Sequence, residues 1–166
     1  MDPFKQSMAP VGAARPALLV LGSLPGDASL RAQRYYAHPQ NQFWRLLGKA
    51  LGEPLGGLSY EEQLARLAAR DVGLWDVVGE ARRKGSLDGD LREISTNPLA
   101  DYVARQPQLR AVAFNGLTAA KLGRQVLTAS QVRLIDLPSS SPAYTLAFAD
   151  KAARWSVLAN FVRAAT

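Results

Sequence analysis

The chain has 166 residues, 48% hydrophobic and 20% charged, which is the balance of one packed globular domain. It has no cysteine, which excludes disulfides, thiol nucleophiles, iron–sulfur clusters and zinc ribbons, and its one histidine argues against a histidine-based metal site. We therefore expect no metal and no cofactor. Lys and Arg number 20 against 14 Asp and Glu, and this net charge of +6 suits a polyanionic partner, although an arginine-rich composition alone would give the same excess.

The ends of the chain give two further expectations. No apolar stretch approaches the roughly 18 residues of a membrane span, and the N-terminus has no apolar signal core, so we expect a cytoplasmic protein. Residues 1–16 carry no periodic pattern, and a second methionine at Met8 is compatible with a leftover expression tag before it. We expect residues 1–16 to be disordered or tag-derived and residues 17–166 to form a single domain.

Apolar runs and helical periodicities alternate along that domain. Four short apolar runs predict strands that are buried on both faces: 17–21, 72–78, 109–114 and 132–137. Helical spacing or capping residues predict helices over 43–51, 59–69, 97–105, 118–126 and 148–164. This alternation predicts an α/β fold with three α/β/α layers around a central four-stranded parallel sheet.

Three segments follow predicted strands at the edge of the sheet where such folds bind ligands. The first is Gly22-Ser23-Leu24-Pro25-Gly26, whose glycines permit close approach of the backbone to a phosphate or a carbonyl. The second is Asn115-Gly116, and the third runs from Pro138 to Tyr144. Each segment alone is also compatible with an ordinary turn, so their convergence at one edge carries the prediction of a site.

A block dense in aromatic and amide side chains follows the first segment: Tyr35-Tyr36-Ala37-His38-Pro39-Gln40-Asn41-Gln42-Phe43-Trp44. A tyrosine here can stack on a flat ring, and Asn41 can offer a carbonyl oxygen to a water or an amide to a base edge. Phe43 and Trp44 begin a helix and are expected in the core. His38 is expected to be structural rather than a general base.

The second and third segments offer further polar groups. The carboxamide of Asn115 can donate and accept at a base edge, or it can simply close a turn. The hydroxyl and N–H groups of Ser139, Ser140 and Ser141 suit phosphate oxygens. Pro142 or Tyr144 could enter a base step as a wedge, or this segment is a surface turn.

In chain order, the first segment, the aromatic block, Phe114-Asn115-Gly116 and residues 137–143 resemble the uracil-DNA glycosylase superfamily. Within it they most resemble the DNA-deoxyinosine (hypoxanthine-DNA) glycosylase family, which is related to the mismatch-specific uracil-DNA glycosylases. The resemblance covers nearly the whole chain from residue 17 onwards. It implies a uracil-DNA-glycosylase-like fold and the excision, by base flipping, of deaminated bases from double-stranded DNA, chiefly hypoxanthine and also xanthine or uracil.

The resemblance also implies roles for single residues. Asn41 falls on the asparagine that the deoxyinosine family uses for catalysis, and we expect it to hold the attacking water. The residues expected to bind the base are Tyr36, which stacks on it, Asn115, which reads its edge, and Gly22, Ser23, Leu24, Pro25 and Gly26. The residues expected to bind DNA are Ser139, Ser140, Ser141, Pro142 and Tyr144, to which we add Arg31 and Arg34 because they flank the aromatic block.

Two departures from the superfamily pattern keep other functions open. Leu24 and Leu137 stand where related enzymes carry polar residues, which argues against efficient uracil excision and fits the deoxyinosine family. Tyr144 stands where an asparagine is expected, which weakens its assignment as a wedge. The alternatives are a non-catalytic nucleic-acid-binding member of the same fold and a small-molecule nucleotide-binding or flavin-binding α/β enzyme. We expect a monomer.

Overall fold

Eight strands form two separate sheets in the computed structural model, which describes residues 2–165. The strands are β1 (Phe4–Gln6), β2 (Val11–Gly12), β3 (Leu18–Gly22), β4 (Val72–Asp76), β5 (Val78–Arg82), β6 (Arg92–Thr96), β7 (Ala111–Asn115) and β8 (Arg133–Leu137). The helices are α1 (Asp27–Ala32), α2 (Phe43–Leu51), α3 (Tyr60–Ala69), α4 (Leu99–Ala104), α5 (Leu117–Val126) and α6 (Phe148–Trp155). Short 3₁₀ helices cover Leu55–Gly57, Asp88–Asp90 and Ser156–Phe161. Within residues 2–165, no helix has the length and apolarity that crossing a membrane requires.

The larger sheet has the strand order β2-β4-β3-β7-β8. The four strands from β4 to β8 in this order are parallel, and β2 adds an antiparallel fifth strand at one edge. Every residue of β3, β4 and β7 is buried, which explains why these strands read as continuous apolar runs. The predicted α/β fold with a parallel central sheet is therefore confirmed, but the predicted number of strands in that sheet is one too small.

Helices cover both faces of this sheet. Side chains of α2, α3 and α6, including Phe43, Trp44 and Trp155, pack on one face together with Leu18 and Val20 of β3. Side chains of α4 and α5 pack on the other face against Leu19 and Leu21 of the same strand. The alternation of β3 side chains between two buried faces produces the three predicted layers.

The expectation that residues 1–16 are disordered is wrong for much of the described part of that segment. Strand β1 pairs with β5 of the smaller sheet, whose order is β1-β5-β6, and β2 pairs with β4 of the larger sheet. Strands of three and two residues are too short to show a period, and main-chain pairing with neighbouring strands holds them in place. Met1 lies outside the described residues.

Several element bounds also differ from prediction. The predicted strand 72–78 is two strands, because the chain leaves the larger sheet after Asp76 and β5 joins the smaller one. Helix α6 ends at Trp155 and a 3₁₀ helix follows it, so the closing helix is shorter than expected. Helix α4 begins without a side-chain cap, and Asn97 before it donates from Nδ2 to the carbonyl of Asp76 at 2.8 Å. Helix α3 begins with a capping box that Ser59 and Glu62 form.

Candidate active site

The three predicted segments converge at the carboxyl ends of the parallel strands, where they surround a cavity of about 460 Å³. This volume lies within the range of roughly 300–1,000 Å³ that small-ligand pockets occupy. Tyr36, Asn41 and Asn115 all line it, as the sequence predicts. The other lining residues that the sequence singled out are Gly22, Ser23, Leu24, Gly26, His38, Ser139, Ser140, Ser141, Pro142 and Tyr144.

Three predicted site residues do not line this cavity. Pro25 is buried behind it, where its carbonyl accepts a hydrogen bond from Arg83 Nη2 at 2.6 Å. Arg31 and Arg34 are exposed, and the guanidinium of Arg34 lies 5.9 Å from the ring centre of Tyr60, beside a neighbouring groove. The assignments of Pro25 to the base and of the two arginines to DNA remain predictions.

The register of the parallel strands places polar groups side by side at the edge of the cavity. Gly22, the last residue of β3, pairs with Asp76, the last residue of β4, and Asn115 ends the neighbouring strand β7. Leu18 and Val20, four and two residues before Gly22, point into the core beneath α2. Because side chains alternate along a strand, the polar strand ends face the same side as that core.

An ordered hydrogen-bond network joins the two asparagines through Ser140. Asn115 Nδ2 donates to Ser140 Oγ at 2.9 Å, and Ser140 Oγ donates to Asn41 Oδ1 at 2.8 Å. The backbone N–H of Ser140 donates to Asn115 Oδ1 at 2.9 Å, and that of Phe43 donates to Asn41 Oδ1 at 3.0 Å. Since a backbone N–H can only donate, these two contacts fix which end of each carboxamide is the oxygen.

This network determines what Asn41 can do. Both lone pairs of its Oδ1 are engaged, by the hydroxyl of Ser140 and the N–H of Phe43. The carbonyl oxygen is therefore not available to orient a water, which was one of the two options that the sequence left open. The Nδ2 group of Asn41 remains, and among residues 2–165 no acceptor contacts it, so Asn41 presents N–H donors.

Tyr36 is held in an unusual conformation beside the cavity. Its backbone has a φ of 57°, in the left-handed region that a non-glycine residue rarely adopts. One face of its ring stacks on Phe43 with a centroid separation of 3.7 Å, so only the opposite face is left for a ligand. Its hydroxyl is buried without a hydrogen-bond partner among residues 2–165, and burial, together with the nearby Asp76, raises the pKa of Tyr36 above its usual value.

Asp76 is a site residue that the sequence analysis missed. It lines the cavity although its exposed fraction is 3%, and burial raises the pKa of its carboxyl to about 7 against the opposing effect of a hydrogen bond from Ser7. A Cβ on Gly22 would lie 2.7 Å from Asp76 Oδ1 and 2.9 Å from Tyr36 Oη, so the glycine is needed for these groups to approach. The available signal was an acidic residue ending an otherwise apolar strand.

A buried arginine holds the first segment in place. Arg83, fully buried after β5, donates from Nε to the carbonyl of Gly85 at 2.8 Å in addition to its bond to Pro25. Burial lowers its pKa, and the carboxylate of Asp88 opposes this effect. Asp88 in turn accepts a hydrogen bond from Ser23 Oγ at 2.6 Å. The connection between β5 and β6 thus fixes the wall of the cavity that Ser23 and Leu24 form.

The serine segment rests on a buried lysine of α6. Lys151 Nζ donates to Gln42 Oε1 at 2.9 Å and to the carbonyl of Ser141 at 3.2 Å, and it lies 5.4 Å from the ring centre of Tyr144. Pro142 and Tyr144 are exposed at the rim of the cavity. Lys151 therefore places a positive charge directly behind the segment expected to contact phosphate.

The remaining residues that the sequence discussed occupy ordinary positions. His38 is exposed at the rim, and its Nδ1 accepts the N–H of Gln40 at 3.1 Å. Leu24 packs with Val78 and Ala81 in a small apolar cluster, and Leu137 belongs to the main core. Neither leucine brings a polar side chain to the cavity, in agreement with the departures read from the sequence.

Comparison with known proteins agrees with this architecture. The family model of the Uracil DNA glycosylase superfamily matches residues 9–162. The chain is 36% identical over 152 residues to a Hypoxanthine DNA glycosylase of Methanosarcina barkeri, covering 92% of this chain and 96% of that protein. It is 37% identical over 141 residues to a Hypoxanthine DNA glycosylase of Methanosarcina acetivorans, covering 85% and 89% of the two chains.

A solved structure of a related protein has the same fold. The solution NMR structure of a candidate uracil DNA glycosylase from Methanosarcina acetivorans superposes with a TM-score of 0.84 at 35% sequence identity, covering 94% of this chain and 96% of that one. The family model matches residues 9–162 of this chain, and the predicted segments surround one cavity. The chain therefore belongs to the uracil DNA glycosylase superfamily.

Proposed function

We propose that the protein is a DNA glycosylase that, as a monomer in the cytoplasm, hydrolyses the N-glycosidic bond of hypoxanthine in double-stranded DNA after flipping the nucleotide. The names of the two Methanosarcina relatives support hypoxanthine as the base. The observation that carries the proposal is the Asn115–Ser140–Asn41 network, which leaves amide N–H donors facing a cavity of suitable size. Xanthine and uracil, which also carry carbonyl oxygens, are the additional substrates of this proposal.

The chemistry of the reaction calls for such donors. As the glycosidic bond breaks, positive charge develops on the sugar and negative charge on the departing base. Preorganised N–H donors in a water-poor site stabilise that negative charge, and removing one donor of this kind typically costs about 10²–10³ in rate. Asn115 uses one hydrogen of its Nδ2 to hold Ser140, and the other is available to a carbonyl oxygen or ring nitrogen of the base.

Asn41 has a second role in this proposal. An asparagine cannot take up a proton at neutral pH, so it can orient a water but cannot act as a general base. With its oxygen engaged, Asn41 would hold the water through Nδ2, whose hydrogens the water oxygen accepts. The water keeps a lone pair for attack on the sugar, which requires little activation because the carbon is already electron-poor when the base departs.

Stacking would compensate for removing the base from the duplex. Extrusion costs a few kcal/mol, least at a mispair. Stacking on an aromatic ring contributes about 1–3 kcal/mol per base. The free face of Tyr36 is suited to this role because Phe43 supports the opposite face and fixes the plane of the ring.

Phosphate contacts would come from the serine segment. Ser139 and Ser141 line the cavity, with Lys151 behind them, and each hydroxyl oxygen accepts a backbone N–H and keeps its hydrogen for a phosphate oxygen. Neutralising phosphates releases counterions, so DNA affinity should fall steeply with salt concentration. Arg31 and Arg34 are exposed and are proposed as further contacts outside the cavity.

The decisive experiment compares Asn41→Ala with the wild type on duplexes that carry hypoxanthine, xanthine or uracil, with abasic sites cleaved by alkali. We expect Asn41→Ala to lose about 10²–10³ in the single-turnover rate on hypoxanthine, by analogy with other catalytic hydrogen-bond donors, and to keep its DNA affinity. Asn160→Ala, which removes an exposed carboxamide outside the cavity, is the matched control and should change neither property. Wild-type excision by Asn41→Ala would refute the role of Asn41. A wild-type protein that binds these duplexes but excises no base would favour the non-catalytic alternative.

A further inference from the structure

The cavity contains an acceptor group that the reaction scheme above does not use. Asp76 Oδ2 accepts a hydrogen bond from Ser7 Oγ at 3.3 Å, whereas no donor within residues 2–165 contacts Oδ1. Tyr36 Oη approaches the same point above Gly22 but makes no hydrogen bond. Asp76 is 3% exposed, and its Oδ1 is accessible from the cavity, where a ligand can supply the donor that the described residues do not.

The position of Asp76 determines which part of a base it would meet. A flipped nucleotide stays attached to DNA through N9 of the purine, so N9 must face the opening and the edge with N1 and O6 must point inwards. Asp76 is among the most deeply buried polar groups of the cavity, and Asn115, at 9% exposure, is the other strand-end residue with a polar side chain. These two residues therefore face the inner edge of the base.

Asp76 and Asn115 lie on either side of the strand that ends in Gly22. Strand β3, which ends in Gly22, lies between β4 and β7. Neighbouring strands are about 4.8 Å apart, so the main chains of Asp76 and Asn115 are separated by about 10 Å. Gly22 has no side chain, and Tyr36 Oη lies directly above it. A base stacked on the free face of Tyr36 would therefore meet an acceptor, Asp76, and an N–H donor, Asn115, at its inner edge.

This pattern matches the chemical change that deamination makes. Adenine has a bare N1, an acceptor, next to an amino group, whereas hypoxanthine has an N1–H donor next to the O6 acceptor. We infer that Asp76 is a specificity-determining residue that accepts the N1–H of the flipped base while Asn115 donates to O6. The inference rests on the proposed function. It explains why a carboxylate is kept in a buried position that an apolar residue would occupy at lower cost.

The experiment compares two bases that differ at N1 in enzymes that differ at residue 76. Duplexes carry either hypoxanthine or unsubstituted purine, which lacks both N1–H and O6, and single-turnover excision rates are measured for the wild type, Asp76→Ala and Asp76→Asn. The loss of O6 is common to all three proteins, so its effect cancels when the ratio of hypoxanthine rate to purine rate is compared between proteins. Asp136→Asn, an exposed acid-to-amide change outside the cavity, is the matched control.

We expect the ratio to fall about 10- to 100-fold in Asp76→Ala, the effect of one hydrogen bond to a charged group. In Asp76→Asn the amide oxygen should face Ser7 and the amide N–H the cavity, so purine, with an N1 acceptor, should gain and the ratio should fall as well. Asp136→Asn should leave it unchanged. A purely structural role for Asp76 would lower both rates by the same factor, and an unchanged ratio in both variants would overturn the inference.

The same data separate this inference from the proposed function. If the wild type excises hypoxanthine and the ratio does not respond to residue 76, only the role of Asp76 is refuted. If the wild type excises neither base, the proposed function and the inference fail together. Thermal unfolding of each variant identifies any loss of folded protein, and Asp76→Asn preserves the shape of the side chain if Asp76→Ala does not fold.

Discussion

Ser140→Ala tests whether the serine acts on catalysis through Asn41. The hydroxyl is 1% exposed and makes two hydrogen bonds, at 2.9 Å from Asn115 Nδ2 and at 2.8 Å to Asn41 Oδ1. At about 1 kcal/mol net for each bond, the variant should lose about 2 kcal/mol of unfolding free energy. Asn41 would then be held by the Phe43 N–H alone, and a loss of about 1.4 kcal/mol of transition-state stabilisation corresponds to about tenfold in rate.

A double-mutant cycle separates this positioning effect from a general loss of packing. Single-turnover excision of hypoxanthine is measured for the wild type, Ser140→Ala, Asn41→Ala and the double variant, with enzyme in excess and at a temperature where all four are folded. If Ser140 works by orienting Asn41, its removal should cost about tenfold in the wild-type background and less than about threefold once Asn41 is alanine. An equal cost in both backgrounds would refute the proposed coupling.

Three further changes have expected outcomes. Tyr36→Phe should retain excision and unfold at the same or a higher temperature because it removes a buried hydroxyl without a partner, whereas Tyr36→Ala should lose about 10- to 100-fold in excision rate. Gly22→Ala should abolish most excision and cost about 1–3 kcal/mol in a denaturant titration, because its Cβ would lie within 3 Å of two buried oxygens, while Gly57→Ala, with open space around it, should do neither. The free energy of unfolding should fall as pH rises from about 4 to about 7, because the pKa of Asp76 is higher in the folded state than in the unfolded chain. Asp76→Asn should remove this pH dependence and should be up to about 4 kcal/mol more stable than the wild type at pH 8. A wild-type slope that persists in Asp76→Asn would show that other groups cause it.

Much of the fold could be predicted because the parallel strands are buried on both faces. Leu18–Gly22 and Ala111–Asn115 are buried at every residue, so each strand appears in the sequence as an apolar run whose short length favours a strand over a helix. The short strands Phe4–Gln6 and Val11–Gly12 show no apolar run in the sequence, because they are held by main-chain pairing with strands far away in the sequence. A hydrophobic pattern within a few residues does not reveal main-chain pairing between distant segments.

The candidate site was predictable only in part, for a related reason. Asn115 could be found because it lies in a polar segment after an apolar strand, and the roles of Tyr36 and Asn41 came from the resemblance of their block to the deoxyinosine glycosylase family. Asp76 lies in an apolar strand, and its importance depends on its register with Gly22 in the neighbouring strand. Pro25 was assigned to the base by its place in the first segment, and the sequence could not show that its carbonyl accepts a hydrogen bond from Arg83, 58 residues further along the chain.

The start of α2 links the core of the protein to the geometry of the site. Phe43 is fully buried in the main core, yet its ring supports the plane of Tyr36 and its N–H fixes the oxygen of Asn41. Both groups therefore take their orientation from a residue that packing against Trp155 and the central sheet already holds rigid. In a site built in this way, the same close packing that stabilises the fold also aligns the amides.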